Sequence, residues 1–156
     1  MVKEGDKLAT FSLPDQDGKI RTLKDLAGKK GLVLYFYPKD NTPGCTLEAQ
    51  DFRDRLGDFE ALGFNVAGVS RDSVKSHCGF AAKYGLDFPL LSDAEGVLLE
   101  AAGAWQEKKN YGRTYMGIVR STVVVDAKGK VLKVYPKVSA KGHALKVLEH
   151  LGEGGA

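Results

Sequence analysis

The sequence predicts an α/β fold in which helices flank a mixed central β-sheet. Two continuous apolar runs, residues 31–37 and 64–69, are typical of strands that are covered on both faces. Segments with the periodicity of amphipathic helices follow both runs. A third apolar run, residues 121–125, is joined by a short turn to residues 131–135, which predicts a β-hairpin. Parallel strands need crossover helices whereas a hairpin is antiparallel, so the predicted sheet contains both arrangements.

The N-terminal elements are a small hairpin, a buried strand and a helix. Residues 8–13 and 20–23 are separated by a Pro-Asp-Gln-Asp-Gly turn, which predicts the hairpin. The strand over residues 31–37 ends at a proline, which cannot donate to a ladder of backbone hydrogen bonds. The pattern is helical from Thr42 to a stop at Gly63, and its apolar stripe is formed by Phe52, Leu56, Phe59 and Leu62.

The remaining elements alternate strands with helices before the hairpin and a last helix. In chain order they are a strand over residues 64–69, a helix over 72–84 ending at Gly85, a short extended segment over 88–91, a helix over 95–102, a polar loop over 105–113, the hairpin over 121–135 and a helix over 144–151 capped by Gly152. This order matches a thioredoxin-like fold, which we expect as one domain spanning residues 1–156.

Composition and charge exclude several classes of protein. The formal net charge is only +3 and no basic stripe is interleaved with aromatic residues, so no nucleic-acid partner is expected. The N-terminal segment lacks the apolar core of a secretory signal, and no apolar run reaches the roughly 18 residues of a membrane span. A cytoplasmic protein without a membrane partner is therefore expected. The cysteines and histidines lack C-x-x-C and H-x-x-x-H spacing, so neither a metal nor another cofactor is expected.

The segment from Pro38 to Glu48 is where the sequence most strongly indicates a reactive site. It joins the carboxyl end of a buried strand to a helix, which is where active sites of α/β sheets tend to lie. Thr42 suits the N-cap and Pro43 the first helical position. Cys45 then falls in the first turn, where unpaired N–H groups and the helix dipole favour the thiolate, the nucleophilic form of cysteine. The alternative is that Cys45 is a small buried residue without reactivity.

This segment contains the pattern P-x-x-x-T-x-x-C, formed by Pro38, Thr42 and Cys45, which resembles the active-site motif of the peroxiredoxins. Residues 35–49 as a whole resemble the bacterioferritin comigratory protein branch of that family, also called peroxiredoxin Q. Residues 68–73, 88–93 and 120–122 carry the same likeness, so the resemblance covers nearly the whole chain.

The resemblance implies a thiol peroxidase and gives roles to individual residues. Cys45 would be the peroxidatic cysteine, which becomes a sulfenic acid as it reduces hydrogen peroxide or an organic hydroperoxide. Thr42 would hydrogen-bond the peroxide oxygens, and Pro43 would shield the thiolate from water. Arg120 would keep the thiolate charged and polarise the peroxide in the transition state. Without the resemblance, Arg120 would be interpreted as a surface charge at the start of a strand.

The resemblance also implies supporting roles in the active site for three more residues. Gly44 would contact the peroxide together with Thr42, Cys45 and Arg120, and Pro38 opens the motif. Glu48 either orients Arg120 or, as an acidic residue in the first turn, complements the helix dipole.

The chain departs from many members of the branch at Gln50, where those members carry a second cysteine five residues after the first. Cys78 is the only other cysteine, and some members place the resolving cysteine on this later helix. We expect Cys78 to close an intramolecular disulfide with Cys45, which thioredoxin or a similar dithiol then reduces in a monomeric enzyme. Alternatively, Cys78 is a packing residue and an external thiol completes a one-cysteine cycle.

Two rival functions use the same fold. A disulfide reductase needs C-x-x-C, whereas the third residue after Cys45 is Glu48. A non-catalytic redox sensor has no need for the peroxide-holding donors Thr42 and Arg120.

The histidines and the polar loop give weaker signals. We expect His77 to be packed or hydrogen-bonded in the core, and His143 and His150 to lie at the surface. By its position, the loop over residues 105–113 is expected to border the active site or to contact a reductant.

Overall fold

A computed structural model describes residues 1–154, so the last two residues of the predicted domain lie outside it. The described residues form nine strands and six helices. They are β1 (Ser12–Pro14), β2 (Ile20–Thr22), α1 (Leu23–Leu26), β3 (Gly31–Phe36), α2 (Pro43–Asp54), α3 (Leu56–Ala61), β4 (Phe64–Ser70), α4 (Val74–Tyr84), β5 (Leu90–Ser92), α5 (Val97–Ala102), β6 (Trp105–Asn110), β7 (Arg113–Ile118), β8 (Ser121–Val125), β9 (Val131–Tyr135) and α6 (His143–Gly154). None of these helices has the length and apolar character needed to cross a membrane.

The central sheet has five strands in the order β5-β4-β3-β8-β9. Strand β4 pairs parallel with both β3 and β5, and β8 pairs antiparallel with both β3 and β9. The sheet is therefore mixed, as the sequence predicts. Helices separate the parallel strands along the chain, because a parallel connection must cross back over the sheet.

Strand β3 lies in the middle of the sheet and is buried on both faces. Val33 and Tyr35 pack into one apolar cluster with residues of α2, α4 and α6. Leu32, Leu34 and Phe36 pack into a second cluster with residues of α1 and α5. This alternation follows from the two-residue period of a strand and explains why β3 is a continuous apolar run. The segment from Pro38 to Glu48 follows the carboxyl end of this strand.

The prediction of one continuous helix from Thr42 to Gly63 is wrong, because the segment forms two helices. Arg55 separates them with φ −109° and ψ 7°, outside the regular helical values. Its N–H bonds to the carbonyl of Phe52, while its own carbonyl accepts from Asp58 and Phe59 at the start of α3. The apolar stripe continues across the break, so periodicity alone does not reveal it. The helix ending at Gly85 is confirmed, and Gly85 caps α4 with a left-handed φ of 60°.

The polar loop predicted over residues 105–113 is also wrong, because strands β6 and β7 form an antiparallel hairpin there. Tyr111 and Gly112 make its turn with φ values of 51° and 75°, as a two-residue hairpin turn requires. Most side chains of both strands are exposed or half-buried. The segment therefore lacks the apolar alternation by which a strand is recognised in a sequence.

Two smaller predictions need correction. The N-terminal hairpin exists, but its strands are β1 and β2 of three residues each rather than the longer segments predicted. His143 is buried, not at the surface, and its Nε2 lies 2.7 Å from the Thr122 hydroxyl oxygen. His150 is half-buried against the Tyr135 hydroxyl.

Candidate active site

The loop after β3 places Cys45 in the first turn of α2. Thr42 occupies the N-cap position with extended backbone, and Pro43 is the first helical residue, as predicted. The Thr42 side chain makes no capping hydrogen bond, and its hydroxyl donates to the carbonyl of Lys39 at 2.8 Å. The first-turn N–H groups thus have no side-chain cap from Thr42. Cys45 lies beside them and is only 1% exposed.

Arg120 connects Cys45 to Glu48. Its Nη2 donates to the Cys45 sulfur at 3.2 Å, and its Nη1 donates to Glu48 Oε1 at 2.7 Å. Cys45 and Glu48 are three residues apart on α2, so both side chains lie on one face of the helix, within reach of one guanidinium. A planar guanidinium has separate donors in a fixed geometry and can serve both acceptors together.

The charge of Arg120 is maintained by its neighbours. Burial disfavours the charged guanidinium, but the carboxylate of Glu48 and the sulfur of Cys45 outweigh that effect and raise the pKa of Arg120. The cation therefore persists beside the sulfur. A positive charge at hydrogen-bonding distance stabilises a thiolate relative to a thiol.

Glu48 is fully buried, and burial disfavours the charge on its carboxyl group. Burial raises the pKa of Glu48 to about 7, against the opposing charge and hydrogen bond of Arg120. Its second oxygen, Oε2, has no hydrogen-bond partner among the described residues. Of the two interpretations of Glu48 from the sequence, the contact with Arg120 is the one that the geometry supports.

Gly44 leaves room for the guanidinium. A Cβ atom at this position would lie 3.3 Å from Nη2 of Arg120, tighter than an ordinary van der Waals contact. A larger residue would press against the donor that contacts Cys45.

A surface cavity of about 750 Å³ opens next to Arg120. Pro38 lies on its wall, and the β6 strand forms another side through residues 106–109. The segment predicted as a loop is thus a strand that lines a cavity next to Arg120, and Cys45 is not among the residues that line this cavity. The third side is formed by Pro136, Lys137 and Val138.

Cys78 is not brought to Cys45 in this structure. It is exposed on α4, and both cysteines are free. Its side chain faces solvent, whereas the neighbouring His77 and Phe80 are buried.

A buried polar cluster beside the active-site loop was not predicted as a group. Asp40, Asp72 and His77 bring potential metal-binding atoms within 4.8 Å of one another. Their atoms are already hydrogen-bonded, Asp72 to Ser70 and to the backbone N–H of Asp40, and His77 to Asp40. The expectation that His77 is a hydrogen-bonded core residue is confirmed. The sequence feature that could have indicated this cluster is Asp40, an acidic residue inside the P-x-x-x-T-x-x-C pattern.

Comparison with known proteins identifies close relatives of this chain. The model of the AhpC/TSA family matches residues 4–134. The peroxiredoxin Bcp of Bacillus subtilis is 45% identical over 150 residues, which cover 96% of this chain and 95% of its own. The peroxiredoxin Bcp of Escherichia coli is 42% identical over 152 residues, with 97% of each chain covered.

Solved structures agree with the sequence relatives. A structure of the bacterioferritin comigratory protein of Xanthomonas campestris superimposes with a TM-score of 0.88 at 42% identity. The match covers 97% of this chain and 100% of the Xanthomonas chain. That structure comes from a study of the alkyl peroxide reduction activity of the Xanthomonas protein, which trapped intermediate and ligand complexes. The predicted thioredoxin-like peroxiredoxin fold is thereby confirmed.

Proposed function

Since the chain belongs to the AhpC/TSA family, in its bacterioferritin comigratory protein or peroxiredoxin Q branch, it is a thiol peroxidase, and we propose that Cys45 is the thiol that attacks the peroxide. The observation that carries this assignment is the guanidinium of Arg120, which contacts both the Cys45 sulfur and the carboxylate of Glu48.

The first step is a nucleophilic displacement on the O–O bond. The Cys45 thiolate attacks the terminal oxygen of ROOH, which carries the hydrogen, the S–O bond forms as the O–O bond breaks, and the electron pair leaves on RO⁻. Protonation of RO⁻ gives an alcohol, or water when the substrate is hydrogen peroxide, and Cys45 becomes a sulfenic acid. Arg120 remains cationic and faces the charge as it moves from sulfur to oxygen.

Thr42, Pro43 and Gly44 complete the peroxide site in this proposal. The hydrogen of the Thr42 hydroxyl is donated to Lys39, but its oxygen keeps lone pairs that accept a hydrogen bond from the O–H of a hydroperoxide. Pro43 presents no N–H at the first helical position, and by its place in the family motif it shields the thiolate from water in this proposal. Gly44 keeps the approach to Arg120 open. Alkyl hydroperoxides are a suitable substrate class, given the activity studied in the Xanthomonas relative.

Resolution by Cys78 forms the second half of the cycle. The Cys78 thiol attacks the sulfenic sulfur of Cys45, which gives a disulfide and releases water. Because Cys45 is buried and Cys78 exposed, the first turn of α2 must open to bring the two sulfurs together. A thioredoxin-type dithiol then reduces the disulfide and becomes oxidised itself. If Cys78 does not resolve, an external thiol takes its place.

Turnover of the two cysteine variants tests this proposal. We expect Cys45→Ser to lose peroxide reduction in the presence of thioredoxin, thioredoxin reductase and NADPH, because serine supplies no thiolate. Cys78→Ser is the matched control, which retains one oxidation of Cys45 per molecule but loses thioredoxin-dependent turnover. Substantial turnover by Cys45→Ser would overturn the assignment. Full turnover by Cys78→Ser would favour the one-cysteine cycle.

A further inference from the structure

A buried hydrogen-bonded network lies between the active-site loop and the first turn of α4. The carboxylate of Asp40 accepts from the Tyr37 hydroxyl at 2.6 Å on Oδ1 and from the Ser76 hydroxyl at 2.8 Å on Oδ2. The same Oδ2 lies 2.7 Å from Nδ1 of His77. Asp40 is 4% exposed and His77 is 0% exposed, so water does not compete for these contacts.

The partners of His77 determine where its protons lie. Nε2 is 3.0 Å from the carbonyl oxygen of Leu91, which can only accept, so Nε2 must carry a hydrogen. A further proton must then lie between Nδ1 and Asp40, either on the imidazole or on the carboxyl group. Tyr37 remains a donor, because burial keeps the pKa of its hydroxyl well above the ordinary value. One side of the ring is thus fixed to Asp40 and the other to β5.

The network also fixes the backbone of the loop. The N–H of Asp40 donates to Asp72 Oδ2 at 2.8 Å, and that oxygen also accepts from the Ser70 hydroxyl. Asn41, the next residue, has a left-handed φ of 63°. A non-glycine residue in this region usually depends on its surroundings for its conformation, and the contacts of Asp40 provide them.

The network joins the two segments that carry the thiols. Asp40 and Asn41 lead directly into the N-cap of α2, whose first turn contains Cys45. His77 immediately precedes Cys78 on α4. None of the hydrogen bonds of Asp40 or His77 reaches the sulfur of Cys45 or the guanidinium of Arg120. Any influence on the chemistry must therefore act through the position of the loop.

We propose that Asp40 and His77 are positioning residues of the peroxide step, which hold the Cys45 loop against α4 so that the sulfur stays in contact with Arg120. This inference rests on the proposed role of Cys45. Loss of the Asp40–His77 bond shifts the loop toward the opened form that the disulfide requires. The reaction of Cys45 with peroxide slows, whereas the subsequent formation of the disulfide does not.

Two substitutions of His77 separate its two hydrogen bonds. The side-chain nitrogen of asparagine lies at the same distance from the backbone as Nδ1, so His77→Asn retains a donor to Asp40 and loses the bond to Leu91. The side-chain nitrogen of glutamine corresponds to Nε2, so His77→Gln retains the bond to Leu91 and loses the donor to Asp40. Each variant loses one buried hydrogen bond, which makes them a matched pair for stability.

Rapid mixing with hydrogen peroxide, followed by acid quench and mass spectrometry, measures both steps. The peroxide-dependent phase reports sulfenic acid formation, and the peroxide-independent phase reports disulfide formation. For His77→Gln we expect the first phase to slow about tenfold, the usual effect of losing a hydrogen bond to a charged group, without slowing of the second. For His77→Asn we expect a first phase within about twofold of the unsubstituted protein.

Other results would overturn the inference. Equal slowing of the first phase in both His77 variants would make the residue merely structural, and no slowing in either would remove its role. Ser76→Ala, which also removes a donor to Asp40 but favours the helix, should slow the first phase to a lesser degree, and an unchanged phase would count against the proposal. If the unsubstituted protein itself shows no reaction at Cys45, the proposed function fails instead.

Discussion

At the scale of single residues, the reactivity proposed for Cys45 depends on its surroundings rather than on the cysteine itself. A cysteine that is 1% exposed in an apolar cluster would ordinarily be an inert packing residue. The contact with Arg120 at 3.2 Å changes that environment, because it places a persistent cation next to the sulfur. The sequence predicted the positions of Thr42 and Pro43 through capping rules. It could not predict that the Thr42 hydroxyl would donate to Lys39 instead of capping α2.

Substitution of Arg120 by lysine tests the need for two directed donors. We expect Arg120→Lys to slow the oxidation of Cys45 by about a hundredfold or more, comparable to the removal of one transition-state donor. Lysine keeps a positive charge, but a single ammonium group cannot match the geometry that serves both Cys45 and Glu48. The measurement is the second-order rate constant with hydrogen peroxide in single turnover. Arg113→Lys on the exposed hairpin strand is the control, and a rate for Arg120→Lys equal to that control would leave Arg120 without a catalytic role.

At the scale of helices and strands, burial explains which elements could be predicted. Strands β3, β4 and β8 are buried on both faces, so each appears in the sequence as a continuous apolar run. Their positions can therefore be predicted from the sequence. The β6–β7 hairpin is covered by little of the protein and carries no such pattern. The turn residues Tyr111 and Gly112 were the available signal, but one glycine after a tyrosine is weak evidence for a hairpin when the flanking segments show no strand alternation.

The first turn of α2 must open if Cys78 resolves the sulfenic acid. After one equivalent of peroxide, we expect the backbone amides of residues 46–48, which are bonded within the first turns of α2, to exchange with deuterium about tenfold faster than in the reduced protein. The reason is that the disulfide draws Cys45 away from Arg120 toward an exposed position on α4. Hydrogen exchange with mass spectrometry measures this directly. Cys78→Ser treated in the same way should show no acceleration, and an equal acceleration in that variant would separate the opening from the disulfide.

At the scale of the whole molecule, the fold class and the order of the central elements follow from the sequence, whereas the polar interior does not. Pairing between Asp40 and His77 joins positions far apart in the chain, and local patterns carry no information about such contacts. The same holds for His143, which the sequence placed at the surface. Burial lowers the pKa of His143 to about 4, with smaller contributions from Lys146 and Arg120. That histidine therefore remains neutral inside the protein at neutral pH.

Glu48 links the active site to the stability of the fold. Its pKa is about 7 in the folded protein and 4.5 in its ordinary state, so the folded protein favours the protonated form. The stability that this group contributes is fully present below pH 4.5 and is lost as the pH rises through about 7. We expect Glu48→Gln to lack this loss. Between pH 5 and pH 8, its unfolding free energy should rise relative to the unsubstituted protein by more than about 1 kcal/mol, since one pKa unit corresponds to about 1.4 kcal/mol.

Urea denaturation at the two pH values measures this difference. Glu60→Gln is the control, because Glu60 is an exposed carboxylate on α3. A difference between Glu48→Gln and the unsubstituted protein that does not change with pH would show that Glu48 stays ionised throughout, and the account of its burial would be wrong.

Whether Cys45 reacts with peroxide is measured by treating the reduced protein with one equivalent of hydrogen peroxide, blocking the remaining thiols and mapping the peptides by mass spectrometry. We predict that Cys45 is the oxidised residue, recovered in a disulfide with Cys78 and trapped as a sulfenic acid in Cys78→Ser. Recovery of Cys45 as an unmodified, blocked thiol while the peroxide is consumed would show that Cys45 is not the thiol that reduces it.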